Sequence, residues 1–152
     1  MRYFAYGSNM AAAQMDAWCE GHVCLGPALL RGRALEFRRR SARWGAGAAD
    51  IVPREGGVVW GVLYVLPEEA LAALDEKELA GIGYRRIEVE VEREGCAGTA
   101  FAYEVIEREP EELAPRPEYV QLMQSGGHER GLPADYLAAL VRERPGPAPR
   151  AI

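Results

Sequence analysis

One apolar run, Val58–Leu66, constrains the fold of this chain more than any other stretch. Its residues, VVWGVLYVL, are almost all β-branched, aromatic or aliphatic and leave no polar face. Such a run is typical of a strand that is buried on both sides. The segment that follows at once, Pro67–Leu79, is predicted to be a helix, because Pro67 suits its first turn and Glu68 and Glu69 lie at its positive end. The two segments together therefore predict a sheet that is covered by helices.

The other elements do not alternate regularly between strand and helix. Further strands are predicted at Arg2–Tyr6, Val23–Leu30, Arg33–Arg39, Asp50–Pro53, Tyr84–Val91 and Thr99–Ile106, with a loop at Ser41–Ala49 and a hairpin turn at Arg54–Gly57. Helices are predicted at Met10–Cys19, Glu118–Gln124 and Pro133–Glu143, with a glycine-rich link at Ser125–Gly131. This order argues against a doubly wound parallel sheet. We predict an α+β fold, a small mixed β-barrel or sheet flanked by helices.

Length and composition set the outer limits. With 152 residues, the chain is predicted to form a single domain over residues 1–144, followed by a disordered proline-rich tail over 145–152. A net charge of −5 argues against a nucleic-acid or anionic-membrane partner. The absence of a long apolar span and of a leader pattern favours the cytoplasm. Cys19, His22 and Cys24 lie close in sequence but lack the ligand set of a closed zinc site, so no metal is expected.

The first ten residues, MRYFAYGSNM, combine a strand, a tight turn and the start of a helix. Gly7 ends the aromatic strand, and glycine supplies turn conformations, including positive φ angles, that other residues avoid. Ser8 and Asn9 are favoured N-cap residues for the helix that follows. Such a turn leaves backbone N–H groups unpaired at a positive helix end, which suits an anion or an oxyanion. A plain strand–turn–helix junction is the alternative interpretation.

Three carboxylates crowd the end of the predicted helix in Leu74–Leu79, LDEKEL. Asp75, Glu76 and Glu78 either form a solvated acidic face or include one group that points into a pocket. Burial raises the pKa of such a carboxyl group, and a raised pKa suits a general base and acid. Glu78 stands one residue before the helix is expected to break, so it is the best placed to project past the helix end.

These segments together resemble the gamma-glutamylcyclotransferase family. MRYFAYGSNM looks like its signature, and WGVLYVLPEEALAALDEKE, YRRIEVEV, FAYEV and PRPEYVQLMQSGGHERGLPADYLAAL follow in the family's order, so that the resemblance runs from Arg2 to Arg144. The Gly-Leu-Pro-x-x-Tyr run at Gly131–Tyr136 resembles the branch that acts on gamma-glutamyl amino acids. The resemblance implies a small mixed β-barrel flanked by helices, with no cofactor and no metal.

The resemblance also implies roles for individual residues. Glu78 corresponds to the family's catalytic glutamate. The substrate-binding residues implied are Tyr3, Phe4, Ala5, Tyr6, Gly7 and Ser8, with Asn9 holding the loop and Tyr84, Tyr103 and Tyr119 lining the pocket. The glycine that commonly follows the catalytic glutamate is replaced here by Leu79.

The implied reaction is intramolecular attack of the substrate's α-amine on its own γ-carbonyl, which releases pyroglutamate and an amino acid. The expected partner is thus a small gamma-glutamyl compound, and a homodimer is left open. The rival hypotheses are a different donor, such as an amine conjugate, a carrier-bound group or glutathione, and a non-enzymatic binding module. An acyl-enzyme on Ser8 is disfavoured, because neither His22 nor His128 has an assigned carboxylate partner.

Overall fold

A computed structural model describes residues 1–142, which form a closed five-stranded barrel with helices packed outside. The strands are β1 (Arg2–Ala5), β2 (Val23–Arg40), β3 (Gly47–Val65), β4 (Tyr84–Arg93) and β5 (Cys96–Val105). The helices are α1 (Ala12–Trp18), α2 (Glu68–Lys77), α3 (Pro117–Glu129) and α4 (Ala134–Arg142), and a 3-10 helix, Ser8–Met10, follows β1. The predicted tail over 145–152 lies outside the described residues.

The barrel closes in the order β1-β3-β2-β4-β5, and β5 returns to β1. The β1–β5 pair is parallel, with Tyr3 opposite Phe101, whereas the remaining pairs are antiparallel. This mixed barrel with outer helices confirms the predicted α+β class. No helix within residues 1–142 is both long enough and apolar enough to cross a membrane.

The apolar run Val58–Leu66 lies in β3 except for its last residue, Leu66, which directly follows the strand. The run is a strand as predicted, and it pairs with β1 on one side and β2 on the other. Only its first residue, Val58, is substantially exposed. Gly61 interrupts the run because a Cβ there would lie 2.6 Å from Cζ of Phe4 and 2.5 Å from the carbonyl oxygen of Ala5. The missing side chain therefore lets the fully buried Phe4 ring pack into the core.

The predicted hairpin turn at Arg54–Gly57 is wrong. These residues lie inside β3, where Pro53 pairs with Arg33 and Val58 with Arg31, so that the extra residues form a bulge opposite Gly32. The turn between β2 and β3 lies instead before Gly47, within the predicted loop at Ser41–Ala49. Glycine pairs signal a turn and a bulge equally well, so the local sequence could not separate the two.

The predicted glycine-rich link at Ser125–Gly131 is also wrong, because α3 continues through it to Glu129. A Cβ on Gly126 would lie 2.6 Å from the backbone nitrogen of Ala11, and one on Gly127 would lie 2.5 Å from Cδ2 of Leu137. The two glycines thus let α3 approach the start of α1 and the side of α4 closely. Tertiary packing outweighs the low helix propensity of glycine here.

The N-cap prediction for Ser8 and Asn9 needs a similar correction. Both belong to the 3-10 helix, and α1 starts only after Ala11. Neither helix start has a side-chain cap. The Asn9 side chain makes a different set of contacts, which involve the end of α2.

Candidate active site

A small cavity of about 40 Å³ lies where β1 runs into the 3-10 helix and where α2 ends. We call it the inner cavity. Aromatic and polar residues line it: Tyr3, Tyr6, Gly7, Ser8, Asn9, Ala49, Glu78, Tyr84, Tyr103 and Tyr119. The fold therefore brings residues from both ends of the chain around one carboxylate.

Most of the predicted site residues line this cavity, but Phe4 and Ala5 do not. Phe4 is 0% exposed and Ala5 is 1% exposed, and both belong to the barrel core. Both residues lie in β1, which leads directly to Tyr6 and Gly7. Their packing in the core therefore supports the loop that follows the strand.

Glu78 reaches the cavity because α2 ends at this point. The helix closes with two bonds, from the N–H of Leu79 to the carbonyl of Glu76 (3.2 Å) and from the N–H of Ala80 to the carbonyl of Asp75 (2.9 Å). This pattern is a Schellman motif, in which the residue at Leu79 adopts a left-handed conformation. Leu79 has a φ of 51°. The glycine expected at this position is thus explained by the helix end, and Leu79 holds the same geometry at a cost in strain.

The three carboxylates of the acidic segment have separate surroundings. Asp75 accepts a hydrogen bond from the Tyr103 hydroxyl at 2.6 Å and pairs with Arg86 at 3.1 Å. Glu76 is exposed. Glu78 alone lines the inner cavity, so the helix end presents one carboxylate to it and leaves the others outside.

Asn9 ties the carboxylate to the loop. Its Nδ2 donates to Oε1 of Glu78 at 3.1 Å and to the Tyr3 hydroxyl at 3.0 Å, and its Oδ1 accepts a hydrogen bond from Nζ of Lys77. Asn9 is 3% exposed, and its carbonyl accepts a bond from the Tyr64 hydroxyl at 2.9 Å. This buried network fixes both the backbone of the loop and the position of the Glu78 carboxyl group.

The surroundings of Glu78 favour its protonated form. Burial raises the pKa of this carboxyl group above its ordinary value, and Lys77, the Asn9 hydrogen bond, Arg39 and Arg43 offset only part of that shift. The same burial lowers the pKa of Lys77, while the charge of Glu78 opposes the change. A raised pKa makes this carboxylate a stronger base than an ordinary glutamate, which suits a group that must take up a proton and later give it back.

Across the cavity, the turn after β1 offers backbone donors. The N–H groups of Gly7 and Ser8 have no hydrogen-bond acceptor within the described residues. Gly7 has a φ of −115°, so the expectation that a positive φ explains this glycine is wrong. The reason is space, because a Cβ on Gly7 would lie 3.3 Å from the Tyr119 hydroxyl oxygen and 3.6 Å from Cβ of Ala49.

The tyrosines of the cavity differ in whether their hydroxyl protons are used. Tyr6 donates to the carbonyl of Tyr103, Tyr84 to the carbonyl of Ala49 (3.0 Å), and Tyr103 to Asp75. The Tyr3 and Tyr119 hydroxyls instead accept bonds, from Asn9 Nδ2 and from the N–H of Ala49 (3.1 Å).

No acceptor within residues 1–142 takes the hydroxyl proton of Tyr3 or Tyr119, so these two groups can donate to a ligand. Burial raises the pKa of both hydroxyls, which keeps them protonated at neutral pH.

A second, wider pocket of about 260 Å³ adjoins the first, and we call it the outer pocket. Ser8, Glu78, Tyr84 and Tyr119 line both spaces. The remaining residues of the outer pocket come mainly from the end of β2, the following turn and the end of α2: Arg39, Ser41, Ala42, Arg43, Trp44, Ala48, Lys77 and Leu79. Glu78 thus lies at the boundary between a narrow, tyrosine-rich cavity and a wider basic pocket.

Reasoning from the sequence missed several of these residues. Ala49 is one, since both its N–H and its carbonyl hold cavity tyrosines. Asp50 is another, a fully buried carboxylate that accepts bonds from Arg108 Nε (2.6 Å) and the N–H of Val105 (3.0 Å) and so locks β3 to β5 behind the cavity. No feature of the local sequence identifies Ala49 as a site residue. A single acidic residue inside the small-residue stretch before β3's apolar run could have drawn attention to Asp50.

No histidine lines either space, and no group of three or more metal-ligating side chains occurs within residues 1–142. The Nδ1 atom of His22 lies 2.8 Å from the carbonyl of Cys19. A histidine is therefore absent from the immediate surroundings of Ser8 in the part of the chain that the structure describes.

Comparison with known proteins agrees with this architecture. Residues 58–140 match the model of the AIG2-like family. Mouse gamma-glutamylcyclotransferase is 33% identical over 149 residues, which cover 94% of this chain and 78% of the mouse protein. The bovine protein of the same name is 33% identical over 140 residues, covering 88% and 73%. A solved structure described as a gamma-glutamyl cyclotransferase superposes with a TM-score of 0.89 at 28% identity, covering 100% of this chain and 92% of that one.

Proposed function

The chain belongs to the AIG2-like, gamma-glutamylcyclotransferase family, and from that premise we propose that it converts gamma-glutamyl amino acids into pyroglutamate and a free amino acid. The family membership confirms the resemblance found in the sequence. The position of Glu78 is the observation that carries the proposal. Its carboxylate lies between the free backbone N–H groups of Gly7 and Ser8 and the wider outer pocket.

The reaction forms one bond and breaks one. The substrate's α-amino nitrogen attacks its γ-carbonyl carbon to close a five-membered lactam, and the bond from that carbon to the released amine breaks. The α-ammonium must first lose a proton, and the leaving amine must gain one. Because nucleophile and electrophile belong to one molecule, the protein needs only to hold the folded conformer, which is a large proximity advantage.

Glu78 has the properties that both proton transfers need. In its ionised form it accepts the proton of the α-ammonium group, and its raised pKa makes it a stronger base for this step. The protonated carboxyl group then donates the proton to the leaving amine, which is far more basic than a carboxylate once its bond to the carbonyl carbon breaks. Asn9 keeps the carboxyl group in place through the 3.1 Å bond to Oε1. One residue therefore serves as base and then as acid.

The turn after β1 supports the charged intermediate. As the α-amine attacks, the γ-carbonyl oxygen gains negative charge, and the free N–H groups of Gly7 and Ser8 are suitable donors to it. The hydroxyl protons of Tyr3 and Tyr119 remain for the polar groups of the γ-glutamyl moiety. In this assignment Ser8 acts through its backbone and forms no acyl-enzyme.

A donor with a different released part, such as an amine, a carrier-bound group or glutathione, remains the main alternative. The retained carboxylate at Glu78 argues against a binding module, because such a protein would have no need of a buried acid with a raised pKa. A cytoplasmic location, a homodimeric state and independence from cofactors stay predictions from the sequence and its resemblance.

Replacement of the carboxylate tests the proposal directly. We expect Glu78→Gln to lower pyroglutamate formation from γ-glutamyl-alanine by at least ~10²-fold, the usual size of general acid–base catalysis, because an amide cannot accept the proton. Mass spectrometry of the pyroglutamate product measures the loss, and circular dichroism checks the fold.

Glu76→Gln is the matched control, since Glu76 is exposed on the same helix end and should tolerate the change. Full activity in folded Glu78→Gln protein would refute the assignment of Glu78. A deep loss in Glu76→Gln would mean that the wrong carboxylate had been chosen.

A further inference from the structure

The outer pocket is where the released half of a substrate must lie if the proposed function holds. The acid that returns a proton to the leaving amine is Glu78, and Glu78 lies at the boundary between the two spaces. The γ-glutamyl half occupies the side of the Gly7 and Ser8 donors. The released amino acid therefore extends past Glu78 into the wider space.

Most of the charged side chains that line this pocket are positive. Among the described residues, three cations line it, Arg39, Arg43 and Lys77, and Glu78 is the only carboxylate. Lys77, the single lysine of the chain, is engaged by the Asn9 side chain. The guanidinium groups of Arg39 and Arg43 are therefore the two cations of this pocket that remain for a ligand.

Arg39 and Arg43 lack the ion pairs that many other arginines of the protein form. Seven others form ion pairs with carboxylates: Arg31, Arg33, Arg38, Arg54, Arg85, Arg86 and Arg108. Neither Arg39 nor Arg43 forms an ion pair within residues 1–142, although both line the outer pocket. Two guanidinium groups that have no close ion pair and line a concave site can recognise carboxylates.

Arg39 is also held in position before any ligand arrives. Its guanidinium carbon lies 5.4 Å from the centre of the Tyr84 ring, a cation–π contact. On its other side is Gly83, where a Cβ would lie only 2.5 Å from Nη2 of Arg39. Stacking on Tyr84 and close approach to the Gly83 backbone therefore fix the group, which lowers the entropy cost of binding. Arg43 is exposed in the turn after β2 and completes the rim.

We propose that the outer pocket selects donors whose released amino acid is acidic, with Arg39 binding its α-carboxylate and Arg43 its side-chain carboxylate. This inference rests on the proposed function and adds a substrate class to it. A neutral released residue neutralises one guanidinium group, a dicarboxylic one neutralises both, and a basic one adds a repelled charge. A γ-glutamyl-amine, which has no carboxylate in its released part, satisfies neither arginine.

A donor panel tests the inference. We expect kcat/KM for γ-glutamyl-glutamate to exceed that for γ-glutamyl-alanine by about tenfold, mainly through KM, as one charge-assisted contact allows. γ-Glutamyl-lysine and γ-glutamyl-ethylamide should be poorer than γ-glutamyl-alanine. The advantage of the acidic donor should shrink as ionic strength rises, because Arg43 is exposed to solvent.

Variants of the two arginines give a sharper test. Arg43→Glu should reverse the order, so that γ-glutamyl-lysine becomes a better donor than γ-glutamyl-glutamate. Arg39→Gln should raise KM for both γ-glutamyl-alanine and γ-glutamyl-glutamate while γ-glutamyl-ethylamide changes little. Arg40→Gln is the matched control, since Arg40 is exposed beside Arg39 and lines neither space.

The outcomes separate the two proposals. Pyroglutamate from γ-glutamyl-alanine, but with no preference for γ-glutamyl-glutamate and no reversal in Arg43→Glu, would overturn the inference and leave the proposed function standing. No pyroglutamate from any donor would overturn both. Arg43 lies on an exposed turn, so its variants keep the test valid even if Arg39→Gln fails to fold.

Discussion

Leu79 occupies a position that the geometry of a helix end usually gives to glycine. Its φ of 51° places a branched, bulky residue in the left-handed region, directly after the proposed catalytic carboxylate. The strain is of a kind that persists where surrounding bonds fix the backbone, and here the two bonds that close α2 do so. The side chain also forms part of the outer pocket, 45% exposed.

We expect Leu79→Gly to stabilise the protein by roughly 0.5–1 kcal/mol, since relief of about 1–2 kcal/mol of left-handed strain exceeds the entropy cost of glycine. Urea unfolding followed by circular dichroism measures the change. Leu79→Ala keeps a Cβ at positive φ and should bring no gain. A loss of stability in Leu79→Gly would show that the packing of Leu79 outweighs its backbone strain.

Tyr84 and Tyr119 form a natural matched pair, since each bonds to the peptide groups of Ala49. Tyr84→Phe loses a bond to the carbonyl and Tyr119→Phe loses one to the N–H, so each should cost about 1 kcal/mol of unfolding free energy. Only the Tyr119 hydroxyl has a proton to offer a substrate. We therefore expect kcat/KM to fall about tenfold further in Tyr119→Phe than in Tyr84→Phe. Equal losses of activity in steady-state assays would contradict this division.

At the scale of the element, the packing of α3 depends on Gly126 and Gly127. Because these residues have no side chain, the helix can approach its neighbours closely. Gly126 approaches the backbone at Ala11, directly after the 3-10 helix that carries the cavity loop. A Cβ on Gly127 would meet only side-chain ends, Cδ2 of Leu137 at 2.5 Å and Cδ2 of Leu132 at 3.4 Å. The helix packs against a rigid neighbour at one glycine and an adaptable one at the next.

Gly126→Ala should therefore destabilise the protein by about 2 kcal/mol or more, within the range of overpacked sites and opposite in sign to the usual gain from alanine in a helix. Gly127→Ala is the control and should cost less than half as much, because the Leu137 side chain can rotate away. Chemical denaturation of both variants compares them. A stabilising Gly126→Ala would mean that α3 shifts freely, and the close approach to Ala11 would lose its importance.

At the scale of the whole molecule, two glutamates, Glu78 and Glu104, make opposite contributions to the dependence of stability on pH. Burial raises the pKa of Glu78, so the folded state holds its proton more tightly, and ionisation above the unfolded pKa of about 4.3 costs stability. For Glu104, burial also opposes ionisation, but the hydrogen bonds from Arg33, Arg85 and Arg108 outweigh it and lower the pKa. Its contribution is therefore present at neutral pH and is lost as pH falls.

We expect Glu104→Gln to lower the free energy of unfolding by about 1–3 kcal/mol at pH 7, the range for hydrogen bonds to a charged group. The deficit should shrink as pH falls below about 4, where the unfolded chain protonates first. Thermal unfolding across this pH range measures it. Glu90→Gln, at an exposed position on β4, is the control, and a deficit in Glu104→Gln that did not change with pH would contradict the ion-pair explanation.

The sequence by itself determined the elements with strong, one-sided patterns. The apolar run of β3, the amphipathic α2 and the alternating β4 are local signals, since a buried strand or helix face needs a period of apolar residues whatever its partners are. The same applies to the strand and turn that begin the chain. The resemblance of these segments to a known family was enough to predict the barrel class, and it singled out Glu78, which is the one of the three carboxylates that lines the inner cavity.

Only the tertiary structure decided how those pieces meet. Whether two glycines end a strand, as predicted at Arg54–Gly57, or form a bulge within it depends on the strand opposite, and whether glycines belong in α3 depends on what approaches them. Likewise Ala49, Arg39 and Arg43 become part of the site only because β2 and β3 bring them beside Glu78. Local patterns report burial and backbone preference, whereas a site is built from contacts between residues far apart in the chain.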